Sequence, residues 1–170
     1  MCRVCEGFSI EDATALAGAR VTENGGYAIQ GVVGPGGPDE GAESWVYTVG
    51  LLDVADHPEL IMAGVAPSTA ASVLSMLCQS VVRGERYLVD ETIDLGGAVA
   101  VVGAVHEVQY ERDTFSTWYR LTSAGVLHSE VLEAVQIKLP IVSPTFGVLL
   151  SQPVLADPAA RVWAESGELN

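Results

Sequence analysis

Apolar and polar residues change period several times along the chain, and each change marks an element. From Ser9 onward, Ile10, Ala13, Leu16, Ala17 and Val21 recur at helical spacing. Ser9 and Asp12 form an approximate capping box, Glu11 and Asp12 put negative charge where the helix dipole favours it, and Asn24-Gly25-Gly26 ends the run. Tyr27 to Val33 reads as a strand. Residues 34–41 hold four glycines and two prolines, so a flexible loop is expected over residues 34–43. Ser44 to Leu51 is rich in β-formers and makes a second strand, with Leu60 to Val65 a third. The link between them is short enough for antiparallel neighbours.

Pro67-Ser68-Thr69 opens the clearest helix, with Ala70, Val73, Leu74, Leu77 and Val81 on one face and Gly84 as its cap. It is expected to pack across the sheet. Further on come a short strand over Tyr87 to Val89, a turn from Asp94 to Gly97, and a long buried strand from Ala98 to Tyr110 that becomes alternating at His106. Thr114 to Leu121 reads as a short helix, and Leu132 to Val142 as a last strand bounded by Pro140. Residues 151–170 read as an irregular arm, or one that docks on a neighbour. The order lacks strict strand–helix alternation. It implies one α+β domain over residues 1–170, either a mainly antiparallel sheet or a partly closed, split-barrel-like β-barrel, with two principal helices packed on it.

Composition changes what the surface must do. The chain is 49% hydrophobic and 18% charged, with a mean hydropathy of +0.32, against about 25% charged in ordinary domains. An exposed apolar patch is expected, closed by a small-molecule ligand or by self-association as a homodimer. The apolarity is not that of a membrane span, because the longest apolar run is far short of about 20 residues. A net charge of −14, with Lys138 the sole lysine, argues against nucleic acid and anionic membranes. The N-terminus has no apolar signal core and the three cysteines are odd in number, which points to a reducing cytoplasm. Arginine in place of lysine, with abundant Ala, Val and Gly, matches a bacterial coding bias.

Several residues could carry chemistry. His57 lies in Asp56-His57-Pro58-Glu59, where a neighbouring carboxylate can tune an imidazole; His57 and Glu59 form the candidate acid–base pair. The alternative is a capped connection whose polar groups serve the backbone. Trp45 and Tyr47 share one strand face and Thr48 takes the other. With Gln30 and Gln136 they are candidates to line a ligand pocket, unless the protein itself supplies the partners of the amides and hydroxyls. Cys2 and Cys5, at Cys-x-x-Cys spacing, could hold one edge of a zinc site or cycle with a disulfide. A closed zinc site needs further ligands, which His57, His106, His128 or Cys78 would have to bring; a chemically idle terminus is the other reading.

Tyr27-Ala28-Ile29-Gln30-Gly31-Val32, Trp45-Val46-Tyr47-Thr48-Val49-Gly50-Leu51, His57-Pro58-Glu59-Leu60-Ile61-Met62 and the opening Met1-Cys2-Arg3-Val4-Cys5-Glu6-Gly7 resemble the small bacterial proteins grouped as domain of unknown function 4262. Ala134-Val135-Gln136-Ile137 sits where that family has its late strand, although Leu139-Pro140 replaces the usual Trp-Pro. The resemblance covers most of residues 1–142 and implies no activity. A looser architectural similarity over residues 45–89, to split barrels of the flavin reductase type, would imply FMN at a dimer interface. Arg83, Arg86, Arg112 and Arg120 would then be the supply of phosphate partners. Three readings follow: a small-molecule-binding protein or enzyme, a non-catalytic homo-oligomeric interaction module, and an FMN protein.

Overall fold

In the computed structural model, the described residues are 9–33, 44–111, 113–140, 142–143, 147–148, 152–160 and 162. Helix α1 (Ile10–Glu23) leads into β1 (Ala28–Val33), followed by β2 (Ser44–Val49), the short α2 (Leu51–Ala55), β3 (Glu59–Ala63) and α3 (Pro67–Val82). Then come β4 (Thr92–Asp94), β5 (Val99–Ala104), α4 (Ser116–Ser123), β6 (Ala134–Lys138), β7 (Val142–Ser143) and β8 (Gly147–Val148). Ser9 caps α1 with the expected reciprocal bonds to Asp12.

Six strands form one open sheet in the order β1-β2-β3-β6-β5-β4, and β7 pairs with β8 apart from it. Neighbours are antiparallel except at the centre, where β3 runs parallel to β6, Glu59 opposite Ala134 and Ile61 opposite Gln136. The fold is therefore α+β with a mixed sheet. Of the two forms expected, the open sheet is the one present and the partly closed barrel is not.

Two cores lie on the two faces of the sheet. On one, α3 packs Val73, Leu74, Leu77 and Val81 onto Val46, Leu60, Met62, Val102 and Ile137. On the other, α1 and α4 bring Ala17, Val21, Trp118 and Leu121 onto Trp45, Tyr47, Val49 and Ile61. Period-two alternation in β2 decides which of its residues meets which layer.

Several elements differ from expectation. Gly50 adopts φ +103° and ends β2, so Leu51 starts a helix instead of finishing the strand. A Cβ on Gly50 would collide with the Gly26 carbonyl oxygen, so only glycine fits there. Tyr87 to Val89 is not a strand, because the Tyr87 amide donates to His57 Nε2; the strand lies later, at Thr92–Asp94. The long strand stops at Ala104, where His106 instead caps the short 3₁₀ helix Glu107–Gln109 through Val108 N. No described helix is long and apolar enough to cross a membrane.

Candidate functional site

β1 forms one edge of the sheet, with α3 on one face and α1 and α4 on the other. Around this edge runs a cleft of about 580 Å³, within the size range of small-molecule sites. Its walls are Ala13, Leu16 and Arg20 of α1, Gln30 and Val32 of β1, Ser68 and Ala71 of α3, and Ser116, Thr117 and Arg120 of α4, among others. The Gln30 amide donates to the Gly31 carbonyl at 2.9 Å. Gln30 is thus the one candidate pocket residue that lines this cleft.

Trp45 and Tyr47 do not line it; they hold its wall in place. Trp45 Nε1 donates to the Thr114 carbonyl at 2.9 Å, and the Tyr47 hydroxyl accepts from Thr117 N at 3.1 Å. The Tyr47 ring meets Phe115 edge-on at 5.2 Å. Two consecutive inward residues of β2 therefore set the position of the first turn of α4. Burial pushes the Tyr47 phenol up to about 12, so it stays protonated at physiological pH.

His57 and Glu59 lie away from the cleft and are buried. His57 Nε2 accepts from Tyr87 N at 3.0 Å, so the ring proton sits on Nδ1, which donates to the Pro58 carbonyl at 2.7 Å. Both ring nitrogens serve backbone, pinning the segment after α3 to the link before β3. Burial lowers the His57 pKa; the Pro58 bond opposes this, and the Arg86 cation adds to it.

The Glu59 carboxylate accepts from Gly50 N at 2.7 Å, Leu51 N at 3.3 Å and the Thr48 hydroxyl at 2.6 Å. Thr48 Oγ1 in turn accepts from Leu60 N at 2.8 Å. The group closes the turn between β2 and α2. Burial raises the Glu59 pKa, against hydrogen bonds from Thr48, Gly50, Leu51 and Leu52. Thr48 and Glu59 meet as a pair, but His57 bonds to neither.

Gln136 is bonded to the C-terminal arm of its own chain. Its amide donates to the Pro153 carbonyl at 2.7 Å and accepts from Leu155 N at 2.9 Å. Gln152 makes the matching pair with the backbone of Leu139. Leu155 and Val162 are buried in the core under α1 and α4. Residues 152–160 are irregular in backbone, and through Leu155 they dock on the sheet of their own chain.

Cys2 and Cys5 lie outside the described residues. Among the described residues no cluster of three or more His, Cys, Asp or Glu occurs. Cys78 is buried, which pushes its thiol up to about 12 and leaves it without thiolate character at neutral pH. His128 meets Asp53, whose carboxylate accepts from the amides of His128 and Ser129 at 2.7 and 2.8 Å, a surface link between α2 and the loop before β6. The FMN reading rested on likeness to a split barrel, and the open sheet removes that ground.

Arg20 is not among the sequence candidates, although its place at i+7 from Ala13 and i+3 from Ala17 puts it on their helix face. Ser116 and Thr117 carry no signal of their own.

A family model described as "Domain of unknown function (DUF4262)" matches residues 21–141. That span holds β1 to β6, His57, Glu59 and most of the cleft, and it begins after the N-terminal cysteines. No curated protein and no solved structure matches the chain.

Proposed function

The chain belongs to this family of unknown function, whose description assigns no activity, and we propose from the geometry that it is a small-molecule-binding protein with its site in the cleft around β1. The observation that carries the reading is the cleft itself. It has about 580 Å³ of room, walls from five elements, and a mixed lining of aliphatic and hydrogen-bonding groups. Trp45 and Tyr47 support it by fixing α4 against β2.

An acid–base role for His57 and Glu59 is not part of this reading. Both groups are buried and spend their polar atoms on neighbouring backbone and on Thr48. A general base must reach a substrate proton, and neither faces the cleft. They act as braces of the fold.

A titration of the isotope-labelled protein with a library of small apolar and amphipathic fragments, followed by amide NMR, tests the proposal. Shifts should cluster at Ala13, Ile29, Gly31 and Thr117, and Ala13→Trp, which fills the cleft, should abolish them. Clustering elsewhere, or indifference to Ala13→Trp, would sink the reading.

Self-association is a second reading, favoured by one observation. β5 alternates so that Ala100 and Val102 meet α3, while Val99 and Val101 are 53% and 38% exposed on the other face. Light scattering of the wild type and of Val99→Lys checks it: a dimer that the substitution splits supports association through this face, and a monomeric wild type excludes it.

A further inference from the structure

The cleft has an electrostatic character opposite to that of the chain. The sequence carries 22 acids against 8 bases, yet among the described residues no Asp or Glu lines the cleft, and two of the eight bases, Arg20 and Arg120, do. They come from different helices, α1 and α4. Neither makes an ion pair among the described residues, whereas Arg86 pairs with Asp56. A guanidinium beside apolar surface is a fork of donors suited to an oxyanion.

The helix termini point the same way. α3 and α4 both begin at the cleft, through Ser68 and through Ser116 and Thr117; neither N-cap residue caps its own helix, and at α4 the Thr117 amide is held by the Tyr47 hydroxyl. The first turn of a helix carries positive partial charge, so both helix starts add to the positive potential at the cleft. The remaining walls, including Leu16, Ile29 and Val46, are aliphatic and accommodate a short apolar body.

Resting on the cleft as a ligand site, we propose that its ligand is a small amphipathic anion, with a carboxylate or phosphate head held by Arg20 and Arg120 and an apolar body lying along β1 and α1.

Four octyl compounds with different heads test this: octanoate, octyl phosphate, octan-1-ol and octylamine, each titrated by amide NMR into the full chain and into Arg20→Gln and Arg120→Gln. Both arginines are exposed, so the variants fold. At least one anion should bind about tenfold or more tightly than octan-1-ol, with octylamine weakest, as charge-assisted hydrogen bonds of this kind imply. Each Gln variant should weaken the anion by about tenfold and leave octan-1-ol unchanged. Whichever anion binds better identifies the head as carboxylate or phosphate, and added salt should weaken it. Equal binding of octan-1-ol and both anions, or Gln variants that bind the anions as the wild type does, would overturn the anion proposal while leaving the cleft a ligand site. Failure of all four compounds, or binding that Ala13→Trp does not block, would instead overturn the cleft reading beneath it.

Discussion

Replacing Gln136 by Leu keeps the side chain close in volume but removes both bonds to the arm. The amide donates to Pro153 O at 2.7 Å and accepts from Leu155 N at 2.9 Å. The variant has two courses. If the arm stays docked, the Pro153 carbonyl and Leu155 amide lie unpaired against an apolar group, and each buried unpaired group costs about 1–3 kcal/mol. The total is then about 2–6 kcal/mol. If the arm lifts off, water satisfies both groups, but Leu155 and Val162, now 0% and 3% exposed, lose burial worth about 1.5–3 kcal/mol each. The two costs are close, so the arm of the variant should populate both states. A loss of about 2–4 kcal/mol in global stability is expected, read from urea midpoints at unchanged slope. Hydrogen exchange reports the arm directly: the Leu155 amide should lose protection, while the amides of β2 keep theirs relative to the new global stability. If Gln136 instead served a ligand, the apo variant would match the wild type in midpoint and in Leu155 protection, and its role as the anchor of the arm would be refuted.

His57 has a depressed pKa in the folded chain, so the unfolded state takes up its proton first as pH falls. Its contribution to stability is complete above the unfolded value of about 6.5 and is lost as pH drops from there toward the lower folded value. The wild type minus His57→Gln difference in urea midpoint should therefore shrink between pH 7.5 and 5.5; a constant difference would contradict the tautomer described. Gly50→Ala must place a Cβ at φ +103° against the Gly26 carbonyl and should cost at least about 2 kcal/mol, seen as a lowered thermal midpoint. The same change at Gly84, also at positive φ but with open space around it, should cost less, and equal losses would remove the steric argument.

Local period was a good guide wherever one face of an element is dry. The stripe from Ala70 to Val81 became the buried face of α3, and the alternation of Trp45, Tyr47 and Thr48 placed the aromatics and the hydroxyl on opposite sides of β2. Partner choice was less legible. Nothing in the Leu60 or Val135 runs says that they lie side by side and parallel, because period encodes which face is buried and not which strand is adjacent. Three-residue β4 is too short to show a period, and the Tyr87 amide goes to a histidine 30 residues away. Polar residues in apolar runs stood out, but not their partners. Glu59, His57 and Gln136 each satisfy backbone distant in sequence, whereas the arginines that mark the cleft are unexceptional on the helices that carry them.

The parallel pairing of β3 with β6 also shapes how the chain acquires its structure. Tyr47 and Ile61 are 14 residues apart, from 61 − 47, and their antiparallel contact closes a short loop. Glu59 and Ala134 are 75 apart, from 134 − 59. Closing the longer loop costs about 1.5 kcal/mol more in chain entropy. The β1-β2-β3 and β4-β5-β6 meanders can each assemble from nearer contacts. Their joining along the midline is then the slow event, and a bottleneck of this kind lies in the middle of the sheet instead of at its edges.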